Sequence, residues 1–360
     1  MKNKINPVRN REGSQRPSIS NGIKIFYSED WSFGKAQDKT DYELLDTGDG
    51  EKLEKFGKYI FIRPYEDAVW PKAPELKEKW VKADGKFWSS KQGAKKGWTF
   101  KNNNLAAKTR LASASVASRG GWEMEYRGVK FLAMPTPFRH LGFFPEQASH
   151  WDFIEEKIKE ELNFRRRTSG SFDVRRLVEK SSASQSSRVR FLNLFGYTGV
   201  ASLFALRAGA EVTHLDASKQ ILNWVKENQK LNTELALAPL RIIEDDALKF
   251  LEREAKRGNK YDAIIMDPPK FGRGPKGEIW KLEEMLPKLL SAVQKVLSKK
   301  PLFVILTSYA VESSPLSLDY ALADTMKNFN GETEQGELCI LEKSNKRFIS
   351  LANTAIWKSK

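Results

Sequence analysis

Two glycines and a downstream acid in this chain have the types and spacing that hold a nucleoside. Gly196 and Gly199 stand in the segment Asn-Leu-Phe-Gly-Tyr-Thr-Gly, residues 193–199. Glycines there let the backbone turn tightly and approach a ligand. Asp216 lies 20 residues beyond Gly196, and an acid at that distance accepts hydrogen bonds from ribose hydroxyls. The pattern predicts a binding loop followed by a ribose acceptor.

Two further acidic segments follow at similar intervals. Residues 244–247 read Glu-Asp-Asp-Ala, so that Asp246 offers a carboxylate to the exocyclic amine of an adenine. Residues 267–271 read Asp-Pro-Pro-Lys-Phe, in which the prolines fix an extended backbone and Phe271 offers an aromatic surface to a planar substrate. Each segment has a plain structural alternative: Asp246 as a helix cap, Asp-Pro-Pro as a rigid turn, and Lys270 and Arg273 as solvated cations.

Apolar patterning indicates the elements that position these residues. Strands at 189–195, 211–216, 240–243, 261–266 and 302–306 alternate with helices at 199–208, 219–231, 247–257 and 282–297, with a break expected at Pro287. This alternation predicts an α/β fold, a Rossmann-like seven-stranded mostly parallel sheet. Strand-like runs at 337–341 and 348–356 predict an antiparallel C-terminal hairpin. Ligands bind such sheets at the carboxyl ends of the strands.

The N-terminal part has a different pattern. We expect residues 1–40 to be a disordered tail, 41–145 a small β-rich domain of short aromatic strands, and 146–360 the catalytic domain. The stretch 85–122 is basic and in part aromatic, a composition typical of nucleic-acid contacts. A solvated basic face is the simpler interpretation of that stretch.

The ligand is best matched by one adenosine carrying a methionine tail. The glycine segment lacks the G-x-G-x-x-G pattern of dinucleotide sites, and no phosphate-binding loop of the G-x-x-x-x-G-K-[ST] type is present. This disfavours a nicotinamide dehydrogenase. The helix after Gly199 offers free N–H groups to a carboxylate, and Asp216 offers its own carboxylate to the ribose.

These segments resemble class I S-adenosylmethionine-dependent methyltransferases. The similarity rests on 191–199, on His-Leu-Asp-Ala-Ser at 214–218 and on 266–274, and it covers about residues 120–360. The group it resembles contains the bacterial large-subunit ribosomal RNA methyltransferases for 5-methylcytosine and 7-methylguanosine. Residues 142–147, Gly-Phe-Phe-Pro-Glu-Gln, resemble an element that precedes the catalytic domain of that group.

The resemblance implies a role for each matching position. S-adenosyl-L-methionine would be held on its methionine and ribose side by Asn193, Phe195, Gly196, Tyr197, Thr198 and Gly199, and closed over by Gln147. Asp216, Ala217 and Ser218 would hold the ribose and the near side of the adenine, and Asp246 and Ala247 the adenine edge. The transferred methyl group would meet its acceptor at Asp267 and Pro268. Lys270 and Phe271 are further catalytic candidates because of their residue types: Phe271 would stack on a base, and Lys270 would contact phosphate.

Two departures from that group bear on the substrate. Enzymes that methylate cytosine C5 need a cysteine nucleophile after the fifth strand, where this chain reads Leu-Thr-Ser-Tyr at 306–309. Cys339, the single cysteine, lies in a late strand, where we expect a small buried side chain. Residues 1–60 also do not encode an evident PUA RNA-binding domain. We therefore expect transfer to a base nitrogen in RNA, ribosomal RNA first among candidates.

Composition sets the remaining bounds. The 360 residues carry 61 Lys+Arg against 46 Asp+Glu, a formal charge of +15 that suits a polyanionic partner such as RNA. One cysteine and three histidines leave no intrachain disulfide and too few ligands for a Cys/His metal site. No signal or membrane-spanning segment is evident, so we expect a cytoplasmic protein. Alternatives are methylation of a protein or small molecule, and a non-catalytic RNA-binding module of the same fold.

Overall fold

The computed structural model of this chain describes residues 24–28, 41–89, 97–101, 116, 120–168, 188–309 and 314–360. Its strands, in chain order, are β1 (Ile25–Phe26), β2 (Tyr42–Gly48), β3 (Glu51–Phe56), β4 (Tyr59–Pro64), β5 (Gly85–Trp88), β6 (Gly97–Phe100), β7 (Trp122–Tyr126), β8 (Val129–Ala133), β9 (Arg190–Leu194), β10 (Glu211–Asp216), β11 (Leu240–Glu244), β12 (Ala263–Met266), β13 (Phe271–Arg273), β14 (Ile279–Lys281), β15 (Phe303–Ser308), β16 (Gly331–Leu341) and β17 (Phe348–Ser359).

The helices of the described residues are α1 (Lys77–Lys82), α2 (Ala148–Thr168), α3 (Val200–Arg207), α4 (Lys219–Leu231), α5 (Ala247–Lys256), α6 (Leu282–Val296) and α7 (Pro315–Met326). Short 3₁₀ turns cover Pro74–Leu76 and Pro145–Gln147. Among these residues no helix has the length and apolar character needed to cross a bilayer.

The central sheet confirms the predicted fold class. Its strand order is β1-β16-β17-β15-β12-β9-β10-β11, with parallel pairing from β15 through β11 and antiparallel pairing in β15–β17 and β16–β17. The chain runs from β9 through β10 to β11 and then crosses to β12 on the other side of β9. The order therefore reverses between β9 and β12, which is where an open α/β sheet forms a binding crevice.

The sheet has eight strands rather than the predicted seven. The added strand, β1, pairs in parallel with β16 through Ile25↔Glu337 and Phe26↔Leu338, so the expected disorder of 1–40 does not hold at 24–28. Close approach requires Gly336, because a Cβ there would lie 2.0 Å from the carbonyl oxygen of Lys24. Residues 1–23 and 29–40 lie outside the described residues.

Helix α6 also differs from expectation, because it continues through Pro287 without a break. A proline inside a helix removes one backbone hydrogen bond. Burial of Leu289, Leu290 and Val293 on one side of the helix offsets that loss.

The β-rich N-terminal region is confirmed as short strands. A five-stranded sheet has the order β2-β3-β4-β5-β6, and β7 pairs with β8 in a separate hairpin. Its core continues into the rest of the chain, because Phe56 contacts Phe143 and Phe131 contacts both Phe143 and Trp151 of α2. Most of the basic stretch 85–122 lies outside the described residues, and the predicted domain boundaries stay predictions.

Candidate active site

A cleft that is partly open to solvent lies at the carboxyl ends of β9 and β12. It combines the glycine segment with residues from two other parts of the chain. The lining residues are Phe143, Phe144, Gln147, Trp151, Asn193, Phe195, Gly196, Tyr197, Thr198, Gly199, Val200, Ala201, Ile265 and Asp267. The structure thus brings Gln147, the predicted 193–199 residues and Asp267 to one cavity.

The glycine segment forms a strained turn against a buried polar network. Phe195, Tyr197 and Gly199 all have positive φ, at 57°, 51° and 85°. A Cβ on Gly196 would lie 2.3 Å from Cε1 of His214, so this position requires glycine. Non-glycine residues with positive φ cost energy and cluster at functional sites.

The network beneath the turn consists of Asn193, Ser202 and His214. Asn193 Nδ2 donates to the Ser202 hydroxyl at 3.0 Å, and that hydroxyl lies 2.9 Å from His214 Nδ1. Burial lowers the pKa of His214 to about 4, so its ring is neutral at pH 7. The histidine is a core residue.

Asp216 fastens the turn to the end of β10. Its Oδ2 accepts a hydrogen bond from the backbone N–H of Tyr197 at 3.0 Å, and its Oδ1 accepts one from Ser218 at 2.9 Å. Burial raises the pKa of the carboxyl, while these backbone donors favour its ionised form. Asp216 does not line the cavity, and its contact with a ribose stays a prediction.

The segment 142–147 is tied to the same turn. Thr198 Oγ1 donates to the carbonyl of Gly142, and Asn228 Nδ2 donates to the carbonyl of Thr198 at 2.9 Å. Gly142 has φ 99°, and a Cβ there would collide with the Trp224 ring at 2.3 Å. The side chains of Phe144 and Gln147 therefore face the cleft from a fixed backbone.

The adenine-side residues lie at helix starts. Asp246 caps α5, accepting from the N–H of Lys249 at 3.0 Å, and Ser218 caps α4, accepting from Ile221 at 3.4 Å. The plain structural alternative for Asp246 is thus confirmed. Ala247 is buried at the first position of α5. With Ala217, these residues lie outside the cavity lining, and their cofactor contacts stay predictions.

A polar cluster lies at the other end of the cavity. The sequence predicts a role for two of its residues, Gln147 and Asp267. Gln147 Nε2 lies 3.4 Å from Asp267 Oδ2 and 3.3 Å from the Tyr309 hydroxyl. Its Oε1 lies 2.7 Å from Nδ1 of His150. The Tyr309 hydroxyl also forms a hydrogen bond with the buried Glu146 carboxylate.

Burial shifts the pKa of every acid in this cluster upward. The pKa of Asp267 lies well above its ordinary range because of burial and then because of the Glu146 charge. Burial also raises the pKa of Glu146, but Lys52 and Arg63 oppose the shift. Of the two carboxyl groups, Glu146 therefore ionises first. Strongly shifted acids beside a cleft are typical of functional sites.

Three predicted catalytic residues lie outside the cavity lining. Pro268 is buried, while Lys270 and Phe271 are exposed and lead into the β13–β14 hairpin. The hairpin is anchored by Trp280, which donates to the Pro269 carbonyl at 2.6 Å and packs on Phe195 with ring centroids 5.0 Å apart. Phe271 is 58% exposed, so its contact with a substrate base stays a prediction.

Several residues of the cavity lining and of the polar cluster beside it were not predicted. Phe143, Phe144 and Glu146 belong to the 142–147 element, in which only Gln147 received a role, so the quoted motif itself held the signal. Tyr309 ends the stretch 306–309, which follows the fifth strand, where enzymes that methylate cytosine C5 carry their cysteine. Trp151, Val200, Ala201 and Ile265 carry no motif, and only the fold reveals their position.

The residues present fit S-adenosylmethionine. A Cβ on Gly199 would lie 2.8 Å from the Val225 side chain, and one on Gly196 would hit His214, so both glycines are needed for the turn to pack against these buried side chains while it lines the cleft. The cavity joins aromatic walls, suited to a purine or a sulfonium, with the N-terminal end of α3, suited to a carboxylate.

Comparisons with known proteins agree with this assignment. A family model described as S-adenosylmethionine-dependent methyltransferase matches residues 141–300. A crystal structure of a SAM-dependent methyltransferase from Agrobacterium tumefaciens is 36% identical, with 94% of each chain covered and a TM-score of 0.74.

Curated relatives match shorter segments. "Ribosomal RNA large subunit methyltransferase K/L" of Pseudoalteromonas translucida is 36% identical over 132 residues, which are 36% of this chain and 18% of that protein. "Ribosomal RNA large subunit methyltransferase K" of Neisseria meningitidis serogroup B is 29% identical over 164 residues, 44% of this chain and 46% of that protein. The match thus spans less than half the length of either relative. On the cleft, the family model and the near full-length structural relative together, the chain belongs to the S-adenosylmethionine-dependent methyltransferase family.

Proposed function

We propose that this methyltransferase transfers its methyl group to a base nitrogen in RNA, with ribosomal RNA as the first candidate. The observation that carries the choice of a nitrogen is the chemistry at the strand ends beside the cavity. The Asp267 carboxyl and the Tyr309 hydroxyl stand there, bridged by the Gln147 amide. These groups accept and donate hydrogen bonds but do not form the covalent adduct that methylation of cytosine C5 requires.

The position of Cys339 supports the same choice. It lies in β16, is buried, and burial raises the pKa of its thiol to about 12. The thiolate is the reactive form of cysteine, so this side chain is unsuited to act as a nucleophile at neutral pH.

The relatives named as ribosomal RNA methyltransferases support an RNA acceptor. So does the exposed face of the β13–β14 hairpin. The cross-strand pairs Phe271↔Lys281 and Arg273↔Ile279 place two apolar and two cationic side chains on that face, all exposed. Aromatic rings that stack on bases beside cations that meet phosphates are typical of single-strand binding. The hairpin begins four residues after Asp267, at the acceptor end of the cleft.

In this proposal the chain acts mainly by positioning. S-adenosylmethionine supplies an electrophilic methyl group, held by the 193–199 turn, with Asp216 at its ribose. Asp267 and the backbone at Pro268 orient an acceptor amine, while Phe144 and Tyr197 exclude water from one wall. Holding the reacting atoms at about 3–3.5 Å accounts for much of the barrier reduction in such reactions. The proposal includes a cytoplasmic location for this reaction.

The test is transfer of radiolabelled methyl groups to purified unmodified ribosomal RNA, with protein extract and a small-molecule extract as parallel acceptors. Label in RNA, followed by nucleoside analysis that finds an N-methylated base, is the expected result. Label only in the other acceptors would refute RNA as the substrate. RNA binding without transfer would favour the non-catalytic alternative.

One single variant and one matched pair of variants sharpen this test. Cys339→Ser is expected to methylate RNA at the wild-type rate. Transfer to nitrogen would be refuted if the wild type produced 5-methylcytosine and this variant lost that activity. Phe271→Ala is expected to weaken RNA binding by about 1–3 kcal/mol, the usual contribution of one stacked base. Phe164→Ala, which removes a ring of similar exposure, 61%, from α2, is its matched control.

A further inference from the structure

We propose that the Tyr309 hydroxyl, supported by the Glu146 carboxylate, accepts the proton that the acceptor nitrogen releases during methyl transfer. The proposal rests on the proposed function, since it assigns residues at the acceptor end of the same site. Tyr309 is then a catalytic residue that touches the substrate, and Glu146 is a positioning residue that acts through it.

The fold places Tyr309 at the reaction centre. Strands β12 and β15 pair in parallel with Met266 beside Leu306, so Asp267 and Tyr309 leave the sheet at the same edge. Gln147 Nε2 reaches both, at 3.4 Å and 3.3 Å. Because Asp267 lines the cavity, the Tyr309 hydroxyl is one amide group away from its acceptor end.

Aromatic packing orients the Tyr309 ring. Its centroid lies 5.0 Å from that of Phe144, and Phe144 lies 5.5 Å from Tyr197 in the glycine turn. Phe144 and Tyr197 both line the cavity. Tyr309 therefore extends the aromatic wall of the cleft and carries its hydroxyl toward Asp267 and Glu146.

Glu146 is held next to Tyr309 without exposure to solvent, at 5% relative accessibility. Charged and titratable groups from three places interact electrostatically with Glu146: the N-terminal sheet, the loop at Arg139, and the ends of β12 and β15. They are Tyr42, Lys52, Arg63, Arg139, Asp267 and Tyr309. The pKa of Glu146 is raised by burial and lowered by Lys52 and Arg63, while Asp267 has its pKa raised both by burial and by Glu146. The cations act on Glu146 and not on Asp267, so Glu146 is the carboxyl of the two that ionises more readily.

The proton balance of the step is complete with these groups. The step applies to an amino nitrogen of the base: as the new N–C bond forms, the C–S bond breaks, the sulfur leaves as a neutral thioether, and the nitrogen holds one surplus proton. The Tyr309 oxygen accepts that proton while its own proton passes to a Glu146 carboxylate oxygen. Glu146 becomes neutral, no charge is left on the base, and the proton returns to solvent after product release.

The test compares Tyr309→Phe and Glu146→Gln with Tyr320→Phe, an exposed tyrosine on α7 that serves as matched control. Tyr309→Phe keeps the ring that packs on Phe144 and removes only the hydroxyl. Its single-turnover rate of methyl transfer is expected to fall by about 10²-fold or more, as for loss of a general base. Affinity for S-adenosylhomocysteine and for RNA, measured by calorimetry, is expected to stay at the wild-type value.

The pH profile separates Glu146 from a merely structural residue. Wild-type rates are expected to rise with pH through the elevated pKa of Glu146, because only its ionised form takes the proton. Glu146→Gln is expected to be slow and to lack that rise. An unchanged rate in Tyr309→Phe, a loss confined to cofactor affinity, or the same acid limb in Glu146→Gln would each overturn the proposal.

A stability measurement tests the pair without any acceptor. The folded-state pKa of Glu146 lies above its unfolded value, so the stability it contributes is present at low pH and lost as pH rises through the folded pKa. Tyr309→Phe removes a donor to the ionised form, so the decline in melting temperature should extend to higher pH than in the wild type. If the wild type and Tyr309→Phe gave the same curve of melting temperature against pH, the pairing of Tyr309 with Glu146 would be overturned. If the curves differed as expected but the wild type did not methylate RNA, only the RNA substrate would be refuted.

Discussion

Replacing Asp216 by asparagine tests how the binding turn is held. The carboxylate accepts one backbone hydrogen bond at each oxygen, from Tyr197 at 3.0 Å and Ser218 at 2.9 Å. Asparagine keeps one acceptor oxygen and presents an NH₂ group to the other N–H, so one charge-assisted hydrogen bond is lost. Such a bond contributes about 1.5–3 kcal/mol.

The loss should appear in cofactor affinity, because the Tyr197 amide fixes the turn that lines the cleft. Since 1.4 kcal/mol is a factor of ten in a dissociation constant, we expect Asp216→Asn to bind S-adenosylhomocysteine about 10- to 150-fold more weakly. Isothermal titration calorimetry measures the dissociation constant, and thermal unfolding shows whether the variant remains folded at the assay temperature.

Asp246→Asn is the matched control for this experiment. Asp246 caps α5 through its contact with Lys249, and asparagine caps helices about as well as aspartate. The control therefore keeps the helix cap, and we expect from it a smaller loss of affinity than from Asp216→Asn. Unchanged affinity in Asp216→Asn would refute the anchoring argument, and a comparable loss in Asp246→Asn would show that its carboxylate contacts the ligand as well as capping the helix.

Two further predictions follow from the packing. Gly196→Ala places a methyl group 2.3 Å from His214 and 2.9 Å from Asn193, so calorimetry should show a loss of cofactor affinity that Gly258→Ala, where nothing lies within 4 Å of the added Cβ, does not show. Glu54→Gln breaks a buried pair with Arg63, at 2.6 Å and 2.5 Å, and should cost about 3–5 kcal/mol in urea unfolding at pH 7. Because Arg63 and Lys52 hold the pKa of Glu54 at about 2 against an ordinary 4.5, its stabilisation is present above pH 4.5 and lost as pH falls through 2. A difference from the wild type that does not shrink in acid would contradict this origin.

The sequence is informative where one local rule decides the structure. Parallel strands end at a common edge, so Asn193 and Asp267 were expected to meet, and both line the cavity. The same rule predicts that Asp216 and Asp246 lie at that edge, but it does not predict which groups their carboxylates bind. Both carboxylates accept hydrogen bonds from backbone N–H groups. The sequence motif alone does not distinguish this structural role from ligand binding.

Contacts between distant segments were not predictable in this way. Tyr309 and Glu146 are separated by most of the catalytic domain in sequence, and each looks unremarkable in its own segment. Their contact depends on the pairing of β12 with β15 and on the turn at Pro145–Gln147. Strand β1 likewise depends on the space left by Gly336 on a distant strand, which no local pattern at residues 24–28 reveals.

The N-terminal sheet contributes to the chemistry of the cleft as well as to the core. Lys52 on β3 and Arg63 on β4 oppose the rise in the pKa of Glu146, the carboxylate nearest Tyr309. Arg63 also donates to the carbonyl of Arg139 at 3.0 Å, which fixes the loop whose His140 ring packs on Phe144. The pKa of Glu146 and the position of the aromatic wall therefore both depend on this sheet. Burial alone disfavours the ionised form of an acid, and the cations that oppose this effect at Glu146 come from β3 and β4.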